Sequence, residues 1–163
     1  MAEKKPREAW EMRFLADWLP RRFPRAQRVM LNVRLGELPR EAGGRALTWP
    51  ERRAMGVKNR FADALVLDGG TLWLIETSLG AKLEKAAQLE VYDSLLPETE
   101  ELAELAGLPV RKLLVVAQED RKLREWCRPR GIEVAFHRPP FIEAYLAATL
   151  RKDLGPLTLR AGG

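Results

Sequence analysis

The chain has 163 residues, 46% of them hydrophobic and 31% charged, which excludes a disordered protein and allows one domain, 1–163, with a real core. A net charge of +5 and a pI near 9.7 favour an anionic partner without specifying it. The lone Cys127 excludes an internal disulfide or a zinc cluster, and the absence of both a secretory signal and a run of about 18 apolar residues points to a reduced, cytoplasmic setting with no membrane partner.

The first helical period lies in REAWEMRFLADWLPRRF, where Trp10, Phe14, Leu15 and Trp18 form one stripe and Pro20 and Pro24 are expected to stop it. In AQRVMLNVRLG, Val29, Leu31, Val33 and Leu35 alternate with Met30, Asn32 and Arg34, which predicts a half-buried strand closed by Gly36. Residues 36–59 combine prolines, paired glycines and arginines, and predict a long functional or mobile loop with at most one short helical turn. FADALVLD and TLWLIET predict a hairpin through a three-residue turn, Asp68-Gly69-Gly70. The helix AKLEKAAQLEVYDSLL is expected to turn Leu83, Ala86, Ala87, Val91 and Leu95 inward and to end at Pro97.

Beyond it, ETEELAELAGLP reads as an acidic linker or a short extra helix, and RKLLVVAQ as a central strand covered on both faces. EDRKLREWCRPRG predicts a charged helix closed by Pro129 and Gly131, IEVAFH a short strand, and residues 139–153 a C-terminal helix. The tail, 154–163, is expected to be mobile. A hairpin at the front followed by helical crossovers predicts an α/β fold, with a mixed central sheet of about five strands flanked by helices.

Asp63 shares a strand face with Phe61 and Leu65, so it stands among core positions and needs a cation or a strong hydrogen-bond partner. Glu76 ends an apolar run thirteen residues later. The turn at 68–70 brings the two carboxylates to the same end of the hairpin, within reach of one divalent ion. Two hard oxygen ligands, completed by a backbone carbonyl and water, suit Mg2+ or Mn2+ better than zinc. The alternative is a pair of strand-end carboxylates satisfied by Arg34 or Lys58.

Arg45, Arg52, Arg53, Lys58 and Arg60 surround Trp49, a set suited to tracking a phosphate backbone while the indole stacks a base. A solvated or subunit-contacting loop accounts for the same residues. His137 reads as structural, Trp10, Trp18 and Trp73 as packing, and Cys127, with no base beside it, as no nucleophile. The preference for arginine fits either a hot environment or a GC-rich genome.

The order helix, three strands, helix, strand, with Asp63 and Glu76 at this separation, resembles the PD-(D/E)XK nuclease superfamily over about residues 8–136. Asp63 falls on the first acidic position of its motif and Glu76 on the second. Gln88 and Tyr92, one turn apart, match the QxxxY element of the RecB-like branch. The resemblance implies a metal-dependent DNA endo- or exonuclease. In it Asp63, Glu76 and the Thr77 carbonyl would surround the ion, Glu11 would take the place of the extra acid some members carry, and Gln88 and Tyr92 would orient the site or touch the backbone of the nucleic acid. It also implies a phage or mobile-element origin, since phage genomes encode many small proteins of this layout.

The chain departs from the motif at its lysine, whose position is Ser78. Some members supply the lysine from the following helix, so Lys82 is the cation expected to reach back, with Lys85 one turn on. Two functions follow from the resemblance. One is an Mg2+-dependent nuclease using Lys82. The other is a catalytically degraded nuclease fold serving as a binding or structural part of a phage particle or DNA-processing complex, in a protein assembly or homo-oligomer. Ser78, the acidic segment 98–104 and the basic loop favour the second.

Overall fold

The computed structural model describes residues 6–55 and 60–154, so Lys58 and the tail from residue 155 lie outside it. Helix α1 (Pro6–Arg22) leads to strand β1 (Arg28–Leu35), the short strands β2 (Glu41–Ala42) and β3 (Arg45–Ala46), and helix α2 (Trp49–Met55). Strands β4 (Arg60–Asp68) and β5 (Thr71–Ser78) follow, then helix α3 (Leu83–Leu95) and strand β6 (Val110–Val116). Helix α4 (Arg121–Cys127), strand β7 (Ile132–Phe136) and helix α5 (Pro140–Leu154) complete the order.

Five strands form a mixed sheet in the order β1-β4-β5-β6-β7, antiparallel from β1 to β5 and parallel from β5 to β7. The fold is therefore α/β with a five-stranded mixed sheet flanked by helices, as the element order predicts. Gly69 and Gly70 take φ of 57° and 78°, the left-handed pair that a two-residue hairpin turn requires. Asp68 consequently pairs with Thr71, a tighter turn than the three residues expected. The passage from β5 to the parallel β6 needs a crossover, which α3 supplies. One face of the sheet packs on Phe14, Leu15 and Trp18 of α1, and the other on Ala86, Leu89 and Tyr92 of α3. No helix of the described residues is long and apolar enough to cross a membrane.

Three segments differ from expectation. Helix α1 runs past Pro20 to Arg22, because a proline in the last turn removes only one backbone bond, and the Phe23 N–H still donates to the Leu19 carbonyl at 2.8 Å. The 36–59 loop holds the β2–β3 hairpin and the two-turn α2. That helix starts on a capping arrangement in which the Glu51 carboxylate accepts from the Thr48 N–H (2.8 Å) and hydroxyl (3.0 Å). Helix α3 is rotated from the predicted phase. Leu83 and Val91 are exposed, while Ala86, Leu89 and Tyr92 face the sheet. Apolar residues occur all round this helix, so hydrophobicity alone leaves its inward side undetermined.

The segment after α3 forms two 3-10 turns, Leu96–Glu98 and Glu100–Leu105. Thr99 fixes them to the end of β1, accepting from the Gly36 N–H at 2.9 Å and donating to the Leu95 carbonyl at 2.8 Å.

Strand β1 carries one irregularity that bears on the site. Leu31 pairs with Ala64 and Val33 with Ala62, and Asn32 between them has φ of 51°. Asparagine tolerates this left-handed conformation, whereas a β-branched side chain clashes with its own backbone there. Asn32→Val is expected to lower the unfolding free energy by ~1–2 kcal/mol in urea titration, and Asn32→Gly by less. An equal loss in the two variants would show that the backbone conformation is not what selects the residue.

Candidate functional site

The hairpin register places Ala64 opposite Ile75 and therefore Asp63 opposite Glu76. Residues opposed in this way project from the same face of the sheet. Glu76 is 1% exposed. Its Oε1 accepts from the Asp63 backbone N–H at 3.1 Å, and its Oε2 lies 3.6 Å from Lys85 Nζ. Asp63 is half-buried, and its Oδ2 accepts from both the Thr77 N–H (2.9 Å) and the Thr77 hydroxyl (2.8 Å). Among the described residues nothing donates to Asp63 Oδ1.

Burial first, and then the Asp63 charge, push the Glu76 carboxyl up to about 8, against the downward pull of Lys85 and the Asp63 N–H. Burial alone would lower the Lys85 ammonium, but Glu76, Asp63 and Glu11 together outweigh it and hold Lys85 above its ordinary value. The ion-pair contact favours a charged Glu76, whereas the raised carboxyl favours a neutral one. Desolvation is the larger influence on this carboxyl, so the fold favours the neutral form of Glu76 until a stronger cation arrives. Lys85 is a firm cation in either state.

Ser78, which stands where the resemblance expects a lysine, has another task. It is buried, and its hydroxyl accepts the Lys82 N–H at 3.0 Å at the entrance to α3. Lys82 itself is exposed and joins no ion pair among the described residues. The lysine that the structure brings to the carboxylates is Lys85, one turn further along α3. Gln88 and Tyr92 follow it at helical spacing on the same side. The Tyr92 hydroxyl is pushed up to about 12 by burial and by the Glu76 and Asp63 charges, with Arg60 opposing, so it faces the pair as a neutral donor. Gln88 is half-buried, and its amide makes no hydrogen bond among the described residues.

Helix α1 closes the other side. Glu11 is half-buried, and its carboxyl is raised by burial and by Asp63 while Lys85 and Arg7 pull it down. Arg7 Nε lies 3.4 Å from it. Glu11, Glu8, Asn32, Asp63 and Lys85 line an open pocket of about 340 Å3. Glu8 and Asn32 were not candidates from sequence, although Asn32 stands out as an amide within the apolar alternation of β1.

Among the described residues no three His, Cys, Asp or Glu side chains converge closely enough to hold an ion by themselves. Mg2+ is commonly held by one or two carboxylates, with water and substrate phosphate filling the remaining positions. Asp63 and Glu76, with Asp63 Oδ1 unbonded and facing an open pocket, fit that donor set. Thr77 contributes its N–H and hydroxyl, both directed to Asp63.

The basic loop is neutralised in part. Arg45 bonds Glu51 (2.9 and 3.2 Å), and Arg52 bonds Glu100 (2.9 Å) and the Pro39 carbonyl (3.3 Å), with its guanidinium 5.5 Å from the Trp49 ring. Arg53 and Arg60 are exposed. Arg34 pairs with Glu101 and the Gly36 carbonyl, so it does not satisfy Asp63 or Glu76. His137 Nε2 lies 2.8 Å from Asp17 and ties the end of β7 to α1. Cys127 is buried, and burial raises its thiol, which leaves it unreactive.

No protein-family model and no curated protein matches this chain. Solved structures that match include a repair endonuclease from Pyrococcus abyssi, at 19% identity and a TM-score of 0.46, over 85% of this chain and 50% of that one. A protein of unknown function, AF1548, matches at 11% identity and a TM-score of 0.46, over 85% of this chain and 66% of its own. Protein VC1899 from Vibrio cholerae matches at 18% identity and a TM-score of 0.43, over 85% of this chain and 32% of its own. This chain thus spans only part of the length of each. Likeness at this level assigns no chemistry to it.

Proposed function

We propose that the chain is a divalent-metal-dependent DNA nuclease of the PD-(D/E)XK type, whose positive charge comes from Lys85 rather than from Lys82. The observation that carries this reading is the 3.6 Å approach of Lys85 Nζ to Glu76 Oε2 beside Asp63, in a chain whose lysine position is Ser78. In this reading the cation absent at 78 is supplied in space from α3, which favours the nuclease over a degraded nuclease fold.

In this reading Asp63 and Glu76 hold Mg2+ or Mn2+. A bound ion supplies Lewis-acid stabilisation of the phosphate and a more acidic water. Asp63 is held for that role by the two donors of Thr77, and Glu76 by the Asp63 N–H. Lys85 does not serve as a base, because its ammonium is held above its ordinary pKa. It stabilises the extra negative charge that builds on the phosphate as water adds to phosphorus and the ester P–O bond breaks. Tyr92 and Gln88 border the site from the same helix and position the strand. Glu11, beside Lys85, helps to fix the direction of that ammonium.

The test is incubation of purified protein with linear, nicked and single-stranded DNA in Mg2+ or Mn2+. Cleavage is expected in at least one form, to be abolished by EDTA and reduced to background in Asp63→Asn. Intact DNA under all of these conditions, or equal cutting by Asp63→Asn, would sink the proposal.

A further inference from the structure

Three open pockets around the site share lining residues and form one trough. The acidic pocket described above shares Glu8, Glu11 and Lys85 with a second of about 410 Å3, which adds Arg7, Ser78, Lys82 and Glu84. That second pocket shares Arg7 and Lys82 with a third of about 460 Å3, which extends past Gln118 and Tyr145 to Arg138. The far part lies beyond the C-terminal ends of the parallel strands β5 and β6, against α5, where open α/β sheets commonly present their ligand crevice.

The charge balance shifts along this path. Glu8, Glu11 and Asp63 face Lys85 at one end, Glu8, Glu11 and Glu84 alternate with Arg7, Lys82 and Lys85 in the middle, and Arg7, Lys82 and Arg138 outnumber Glu143 at the far end. These cations are weakly engaged. Lys82 has no ion pair among the described residues, Arg7 has one contact at 3.4 Å to Glu11, and Arg138 approaches Glu143 only at 4.0 Å. In the 45–60 loop Arg45 and Arg52 already hold carboxylates at 2.9 Å, which leaves Arg53 and Arg60 as its exposed arginines without an ion pair among the described residues.

We propose that the trough seats the phosphate backbone of one DNA strand to one side of the reacting phosphate, on Arg7, Lys82 and Arg138, and that the basic loop is not the main phosphate contact. Which end of the trough is the reacting end rests on the nuclease reading; the seating of phosphates does not require catalysis. A chain of anions needs a row of cations open to solvent, and each phosphate neutralised releases condensed counterions, so its loss is read in the salt dependence of binding.

The experiment is fluorescence anisotropy of labelled single-stranded and duplex oligonucleotides in EDTA, from about 50 to about 200 mM salt. Lys82→Ala and Arg138→Ala are each expected to weaken binding and to reduce the slope of log K against log salt by ~0.7 on single strands or ~0.9 on duplex. Arg53→Ala is expected to leave the slope unchanged. The form of DNA that shows the reduction is the form whose strand enters the trough. Both side chains are exposed, so their removal leaves the fold intact. Unchanged slopes in both trough variants, a reduced slope in Arg53→Ala alone, or no binding of either oligonucleotide overturns the proposal. Wild-type cleavage in Mg2+ separates the two ideas. Cutting with unchanged slopes removes only the trough, and trough-dependent binding without cutting removes only the nuclease.

Discussion

Lys85→Met should lower the maximal rate of Mg2+-dependent DNA cleavage by about 100- to 1000-fold, the usual effect of losing one positioned electrostatic group. The reasoning is local. Lys85 is the only cation of the described residues paired with Glu76, and three carboxylates hold it protonated. Methionine keeps much of the length and apolar stem, so α3 should still pack. Lys82→Met is the informative partner. Its ammonium stands at the rim, so it should weaken strand binding and leave the rate at saturating DNA within a few-fold of wild type. Steady-state kinetics on both variants, with kcat and KM resolved, checks the assignment. A full rate in Lys85→Met together with a collapsed rate in Lys82→Met would return the role to the lysine expected from sequence.

Stability of the metal-free protein should fall as pH rises from about 4.5 towards 8. Glu76 has an ordinary value of 4.5, which the unfolded chain adopts, and is pushed up to about 8 in the fold. Between these values the folded chain keeps a proton that the unfolded chain has released, so unfolding is favoured progressively as protons become scarce. The contribution is complete below about 4.5 and lost once pH passes 8. The raised Lys85 value acts at higher pH and does not enter this window. Urea midpoints across the range should therefore decline in the wild type and flatten in Glu76→Gln, whose amide oxygen can still accept the Asp63 N–H. Mn2+ requires ionised Glu76, so it should displace a proton and stabilise the fold more at pH 8 than at pH 6. A decline of the same steepness in Glu76→Gln would place its source elsewhere.

The parts of this molecule that could be read from its sequence are those set by short-range rules. Gly69-Gly70 fixes the hairpin, the hairpin fixes the register, and the register alone makes Asp63 and Glu76 neighbours. The cation was harder to place for a physical reason. A hydrophobic pattern treats polar positions as solvent-facing, yet on α3 Lys85 and Tyr92 turn towards the carboxylates while Leu83 and Val91 face water. A site is a place where polar groups are buried together, so pattern reading inverts the helix there. The pairing of the basic loop was hidden for a related reason. Arg52 is neutralised by Glu100, which is distant in sequence and brought close only by the fold. The Thr48–Glu51 cap, by contrast, was present in the order Thr-Trp-Pro-Glu and needed only to be recognised.

Ser78 has a consequence for how such a site can change over generations. Its hydroxyl holds the first turn of α3, and it lines the same pocket as Lys85. A lysine placed at 78 would remove that hydrogen bond and press a second ammonium into a space already holding one. A lysine lost from 85 would leave the carboxylates with none. On the proposed reading the two positions are therefore coupled, and substitutions at 78 and 85 are expected to combine non-additively.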